Sequence, residues 1–81
     1  MEVNLIAYSK NKHDDFYGCT ETITIELPSR LIVGDTIDLT NFIDFETNML
    51  HNSIYLVDEV LWCCRPDTLT PYQVATIYKT S

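Results

Sequence analysis

The chain has 81 residues, 46% of them hydrophobic, and its 12 acids against 5 Lys and Arg give a formal net charge of −7 at pH 7. A chain of this length builds one small domain around one core, and no apolar run approaches the ~20 residues that cross a bilayer. The first residues have neither the basic start nor the apolar stretch of a signal peptide. These features argue against a disordered chain, a helical membrane protein and a secreted precursor. We expect one cytoplasmic domain over residues 1–81.

Strand patterns follow one another along most of the chain. The segment CTETITIEL at residues 19–27 alternates strictly between apolar and polar residues, which is typical of a half-buried β-strand. Four other segments are rich in β-branched and aromatic residues and are bounded by turn-forming residues. We therefore predict five strands, approximately at residues 2–9, 19–27, 31–39, 53–63 and 72–79.

The third of these segments, LIVGDTIDL, is interrupted at its centre. Val33 and Ile37 share one parity, but the residue of that parity between them is Asp35, and Gly34 beside it supplies backbone freedom. We predict a turn or bulge here, in which Asp35 hydrogen-bonds the backbone. A strand redirected in this way lets a small sheet curl on itself. The predicted fold is all-β: one five-stranded antiparallel sheet that is curled or closed as an SH3-like barrel.

The sequence contains one helical candidate, TNFIDFET at residues 40–47, where Thr40 or Asn41 could cap one or two turns. A helix of this length does not form without tertiary packing. We therefore predict at most one short helix.

The cysteines Cys19, Cys63 and Cys64 are odd in number, so they cannot all pair within one chain. Cys63 and Cys64 are adjacent in a predicted strand and should point to opposite faces, which disfavours a shared metal ion. The chain has no C-x-x-C, and both histidines lie far from the cysteines in sequence. We expect buried free thiols, no metal site and no cofactor.

The central part of the chain carries charge of one sign. Between Leu31 and Cys64 there are six acids and no Lys or Arg. Such a surface repels phosphate, so we expect no direct binding to nucleic acid or to an acidic membrane. Two interpretations stay open: the charge keeps the protein soluble, or it forms an acidic patch that faces a basic partner.

No catalytic arrangement is visible in the sequence. Asp58 and Glu59 are neighbours in a strand and point apart, so they cannot share a substrate. His13, Asp14 and Asp15 lie in the polar loop SKNKHDDFYG, which we interpret as solvated. The chain has two glycines and hence no glycine-rich phosphate loop. We expect no enzyme and no small-molecule substrate.

Three segments, LPSRLIVGDTIDL, YLVDEVLW and YQVATIY, carry a resemblance to a known group of proteins. A V-G-D-x-I strand followed by a strand of Y-x-V-x-x-V form resembles small β-barrel proteins encoded by bacteriophages and prophages. The resemblance covers residues 28–39, 55–62 and 72–78, about half of the chain. It supplies no catalytic residues. It implies an accessory or virion-associated structural protein that acts by contact, in the bacterial host cytoplasm or in the virion.

Two non-enzymatic functions follow from these patterns. The first is a protein-binding or self-associating module, with aromatic residues beside an acidic rim, and Trp62 buried in the core. The predicted contact residues are Asp35, Asp38, Phe42, Asp44, Phe45, Glu46, Tyr55, Asp58 and Glu59. The alternative is an acidic inhibitor that imitates nucleic-acid phosphates and blocks a basic groove on a host enzyme. Salt distinguishes them, because a charge-driven complex weakens with ionic strength and an apolar one does not.

Overall fold

The computed structural model describes residues 1–15, 17–40, 53–67 and 70–80. Its strands are β1 (Glu2–Tyr8), β2 (Glu21–Glu26), β3 (Thr36–Asp38), β4 (Ile54–Cys64) and β5 (Pro71–Lys79). They form one sheet in the order β2-β1-β5-β4-β3, curled into a half-barrel. No helix occurs among the described residues, and the predicted all-β fold is confirmed.

The sheet is mixed. The pairs β1–β2, β3–β4 and β4–β5 are antiparallel, whereas the two central strands, β1 and β5, run parallel. Alternation of apolar and polar residues is the same in both kinds of pair, so the sequence pattern could not specify this direction. The connection from β2 to β3 joins the two edge strands, and it must therefore pass over the sheet.

The core lies on the inner face of the half-barrel. Alternate residues of β1 and β5 point inward because successive strand residues face opposite sides. The buried hydrophobic residues are Val3, Leu5, Ala7, Leu39, Tyr55, Val57, Ala75 and Ile77. Ile23 and Ile25 of β2 pack against this set from the edge.

The long loop between β1 and β2 is fixed to the sheet by an ion pair. The Lys79 Nζ and the Asp14 Oδ2 are 2.7 Å apart, and these side chains are 12% and 8% exposed. The interpretation of Asp14 as part of a solvated loop was wrong for this residue. Its carboxylate is buried because β5 brings a cation to it.

The predicted third strand is shorter in the structure than in the sequence pattern. The strand itself is Thr36–Asp38, paired with β4. Gly34 and Asp35 still hydrogen-bond Val57 of β4, and the chain before them turns away from the sheet. The helix predicted at residues 40–47 lies outside the described residues except for Thr40. Within the described part of the chain, no helix has the length and apolar character needed to cross a membrane.

Candidate protein-contact site

The predicted turn at Gly34 and Asp35 is confirmed. Gly34 has a φ of 98°, a conformation that residues with a Cβ rarely adopt. The Asp35 N–H donates to the Ile32 carbonyl at 2.9 Å, and the Asp35 Oδ2 accepts the Ile32 N–H at 2.8 Å. The carboxylate thus closes the turn on its own backbone, as short acidic side chains commonly do.

This turn takes the chain off the edge of β4. The Gly34 N–H donates to the Val57 carbonyl at 3.0 Å, and the Val57 N–H donates to the Asp35 carbonyl at 2.8 Å. Toward the C-terminus of β4, the described residues supply no further strand on the side away from β5. In the part of the chain that the structure describes, residues 58–64 of β4 therefore form an open edge of the sheet.

A β-bulge marks the start of this open edge. The register of β4 against β5 shifts between Val57 and Glu59, so Asp58 is the extra residue. Its Oδ2 accepts the Tyr8 hydroxyl at 2.7 Å across the sheet. Burial raises the pKa of Tyr8 to about 12, and the hydrogen bond to Asp58 adds to this effect. The bulge and the tyrosine together fix the position of the Asp58 carboxylate.

Exposed apolar side chains collect along the open edge. Their exposed fractions are 56% for Ile32, 60% for Val33, 63% for Leu61 and 47% for Trp62. Two adjoining concavities of about 400 and 330 Å³ share Val33 and Val60 in their linings. They adjoin along the edge of β4, between residues 30–33 and residues 58–62, with Leu61 on the outer face of the sheet and Trp62 on the inner face. The two concavities together are called the β4 groove.

The two ends of the β4 groove differ in charge. Asp58 and Glu59 line one concavity, and Arg30 lines the other beside Trp62. The Asp35 backbone lies next to the acidic end, because its carbonyl accepts the N–H of Val57, the residue before Asp58. The three acids Asp35, Asp58 and Glu59 are called the acidic rim below. A cation on a bound molecule would be attracted to this end.

The structure brings together three of the predicted contact residues, which are those of the acidic rim. Asp38 lies on β3 opposite Ile54, away from the groove. Hydrogen bonds from the Thr40 hydroxyl and N–H hold the pKa of Asp38 below its usual value. Tyr55 has no exposed surface and belongs to the core. Phe42, Asp44, Phe45 and Glu46 lie outside the described residues.

Sequence reasoning missed the apolar part of the groove. Trp62 was expected in the core, but this was wrong: it is 47% exposed. It lies on the stretch of β4 that no described strand covers on one side, so less of the molecule surrounds it. The runs Leu31-Ile32-Val33 and Val60-Leu61-Trp62 contained a signal, because three consecutive apolar residues in a strand must place apolar side chains on both faces.

All three cysteines are free thiols. Their predicted burial was wrong: Cys19 and Cys64 are exposed, and Cys63 is half-buried. Cys63 and Cys64 end β4, where the sheet is open on one side. Among the described residues, no group of three or more His, Cys, Asp or Glu side chains is arranged to hold a metal ion.

Comparison of the chain with protein-family models, with curated proteins and with solved structures finds no match. The class that the structure defines is therefore one of architecture: an all-β half-barrel with an apolar groove along an open strand edge. Function has to be inferred from that groove and its charge.

Proposed function

We propose that this chain is a protein-binding module that acts by contact, without catalysis, and that the β4 groove is its contact surface. The observation that carries the proposal is the clustering of exposed apolar side chains. Among the described residues six large hydrophobic side chains are exposed, and four of them line this groove: Ile32, Val33, Leu61 and Trp62.

Such a cluster is costly to leave in water, since each Å² of exposed apolar surface forgoes roughly 25 cal/mol of burial. Contiguous apolar patches rimmed by polar residues commonly mark contact sites in small soluble domains. Trp62 adds a feature typical of interface centres, because tryptophan combines a large apolar area with one hydrogen-bond donor. These properties support binding to a protein surface.

The charge of the groove supports a partner with basic residues. The acidic rim lies at one end of the apolar cluster, and the whole chain has a net charge of −7. Such a field attracts a positively charged protein and speeds the encounter. The resemblance to phage-encoded β-barrels supports an accessory or virion-associated role, in which a small protein binds a larger assembly.

The experiment is quantitative capture of proteins from a bacterial lysate on the immobilised chain, followed by comparison of two variants. Trp62→Ala removes the centre of the patch. Tyr17→Ala is a matched control, because Tyr17 lies in the β1–β2 loop and is 46% exposed, close to the 47% of Trp62. We expect a captured protein to be lost with Trp62→Ala and kept with Tyr17→Ala. Equal capture by both variants would contradict the proposal.

A further inference from the structure

The open edge of β4 presents backbone groups as well as side chains. A strand directs alternate N–H and C=O groups to each of its two sides, and groups on an open side have no partner strand. Over residues 59–64 the described residues pair with β4 only from the β5 side. The β4 groove therefore combines apolar side chains with backbone donors and acceptors that no described strand pairs.

We propose that the β4 groove binds an extended segment of a partner protein, which adds to the sheet as a strand along residues 59–64 of β4. This proposal rests on the contact function proposed above and names the kind of partner. The added strand would occupy the position that the Gly34–Asp35 turn leaves empty, in line with β3. It would extend the half-barrel by pairing where β3 stops.

The dimensions fit a short segment. Six strand residues span about 20 Å at roughly 3.4 Å per residue, so a segment of five or six residues covers the edge. Leu61 faces the outer side opposite Val74, whereas Val60 pairs with the core residue Ala75 and faces inward. A partner segment with apolar residues at alternate positions could therefore pack on Leu61 or on Trp62, while its backbone pairs with β4.

Beyond the Asp58 bulge, the edge has little protection against pairing. Natural edge strands are commonly blocked by Lys, Pro, inward-pointing charges or a β-bulge. The bulge lies at the start of this edge, and the stretch VLWCC that follows Glu59 contains no Lys, Pro or charged residue. The other edge strand, β2, begins and ends with Glu21 and Glu26 and exposes no large hydrophobic side chain. The two edges of the sheet thus differ in their exposed side chains, and the β4 edge is the one suited to binding an added strand.

Charge complementarity identifies the chemistry of the partner. The acidic rim lies where the added strand would approach β3, so a Lys or Arg at that end of the segment would be stabilised by Glu59 and Asp58. A second copy of this chain is a poorer fit, since two molecules of net charge −7 repel each other. The occupant that we infer is an extended segment with alternating apolar residues and a terminal basic residue.

The test uses a display library of random 12-residue peptides, selected on the immobilised full chain and counter-selected on Trp62→Ala. We expect enriched peptides with alternating apolar residues and Lys or Arg at one end. Each enriched peptide is then synthesised with N-methyl groups on backbone nitrogens of one parity or the other. If the peptide adds as a strand, the two sets of N-methyl groups should act differently. Methylation of the backbone nitrogens that face β4 should weaken binding at least 10-fold, and methylation of those that face away should not.

Three results would overturn the inference, and they differ from failure of the contact function itself. Equal tolerance of N-methyl groups at both parities would show side-chain docking without a strand. Failure to enrich any peptide, while lysate capture still depends on Trp62, would show a folded partner surface. Concentration-dependent dimers of the chain that protect the amides of residues 59–64 would show that a second copy occupies the edge. Failure of the contact function would instead appear as lysate capture that is insensitive to Trp62→Ala.

Discussion

The Gln73 side chain hydrogen-bonds both the N–H and the C=O of Leu31. It does so on the side of the β2–β3 connection that faces away from solvent. The Gln73 Oε1 accepts the Leu31 N–H at 2.8 Å, and the Gln73 Nε2 donates to the Leu31 carbonyl at 3.0 Å. Gln73 is fully buried in β5. This pair of hydrogen bonds fixes the β2–β3 connection over the inner face and thereby holds Ile32 and Val33 beside β4.

Replacing Gln73 by leucine should lower the free energy of unfolding by about 2 kcal/mol or more, because the Leu31 N–H and C=O would lose their partners. Asn4→Leu is the control, since the Asn4 amide oxygen accepts one exposed hydrogen bond from the Thr24 hydroxyl. The measurement is urea denaturation of both variants. If both variants lose the same free energy of unfolding, the hydrogen bonds between Gln73 and Leu31 do not contribute more to stability than the exposed hydrogen bond of Asn4.

Gly34 should be sensitive to substitution for conformational reasons alone. A Cβ at this position meets no atom within 4 Å, but the φ of 98° is strained for alanine. We expect Gly34→Ala to cost about 1–2 kcal/mol of stability, and Gly34→Asn to cost less, because asparagine tolerates positive φ better. Thermal and urea unfolding of the two variants give the comparison. An alanine variant as stable as the parent chain would contradict the described turn.

High pH should lower the stability of the protein through two tyrosines. Burial raises the pKa of Tyr8 and of Tyr55 from 10.0 to about 12; Asp58 adds to the shift of Tyr8 and the charge of Asp14 to that of Tyr55. The unfolded chain then loses these protons at lower pH than the folded chain does. The contribution of the two protonated tyrosines to the free energy of unfolding is therefore complete below pH 10. It is lost as the pH rises from about 10 to 12.

Urea denaturation at a series of pH values, with absorbance at 295 nm to follow tyrosinate, tests this dependence. Tyr55→Phe should reduce the fall in stability above pH 10, because its phenol no longer ionises. A stability that stays level from pH 10 to pH 12 would contradict the burial of both hydroxyl groups.

Charge at the acidic rim should act on the rate of association with a captured partner. Glu59→Lys should slow association several-fold and weaken its salt dependence, whereas dissociation should change little. Asp15→Lys makes the same change in net charge in the exposed β1–β2 loop and is the matched control. The measurement is surface-based kinetics at several salt concentrations. If both variants slow association equally, only the net charge matters and the rim has no local role.

The alternation of apolar and polar residues made the strands predictable, and Gly34-Asp35 made the turn predictable, because both are local features. The parallel pairing of β1 with β5 was not predictable, since it depends on how distant segments meet. The exposure of Trp62 has the same origin: it depends on where β3 stops along β4. The burial of Asp14 required Lys79, which is distant in sequence and adjacent only in the fold.

The open edge of β4 is the feature on which the account depends, and residue-resolved amide hydrogen exchange of the isolated chain measures it directly. Amides of β5, which has a partner strand on both sides, should exchange slowly. Alternate amides of residues 59–64 should instead exchange nearly as fast as in an unfolded chain, with protection below about 10-fold. If all amides of residues 59–64 are protected as strongly as those of β5 in a monomeric sample, the edge is covered and the proposed contact surface does not exist.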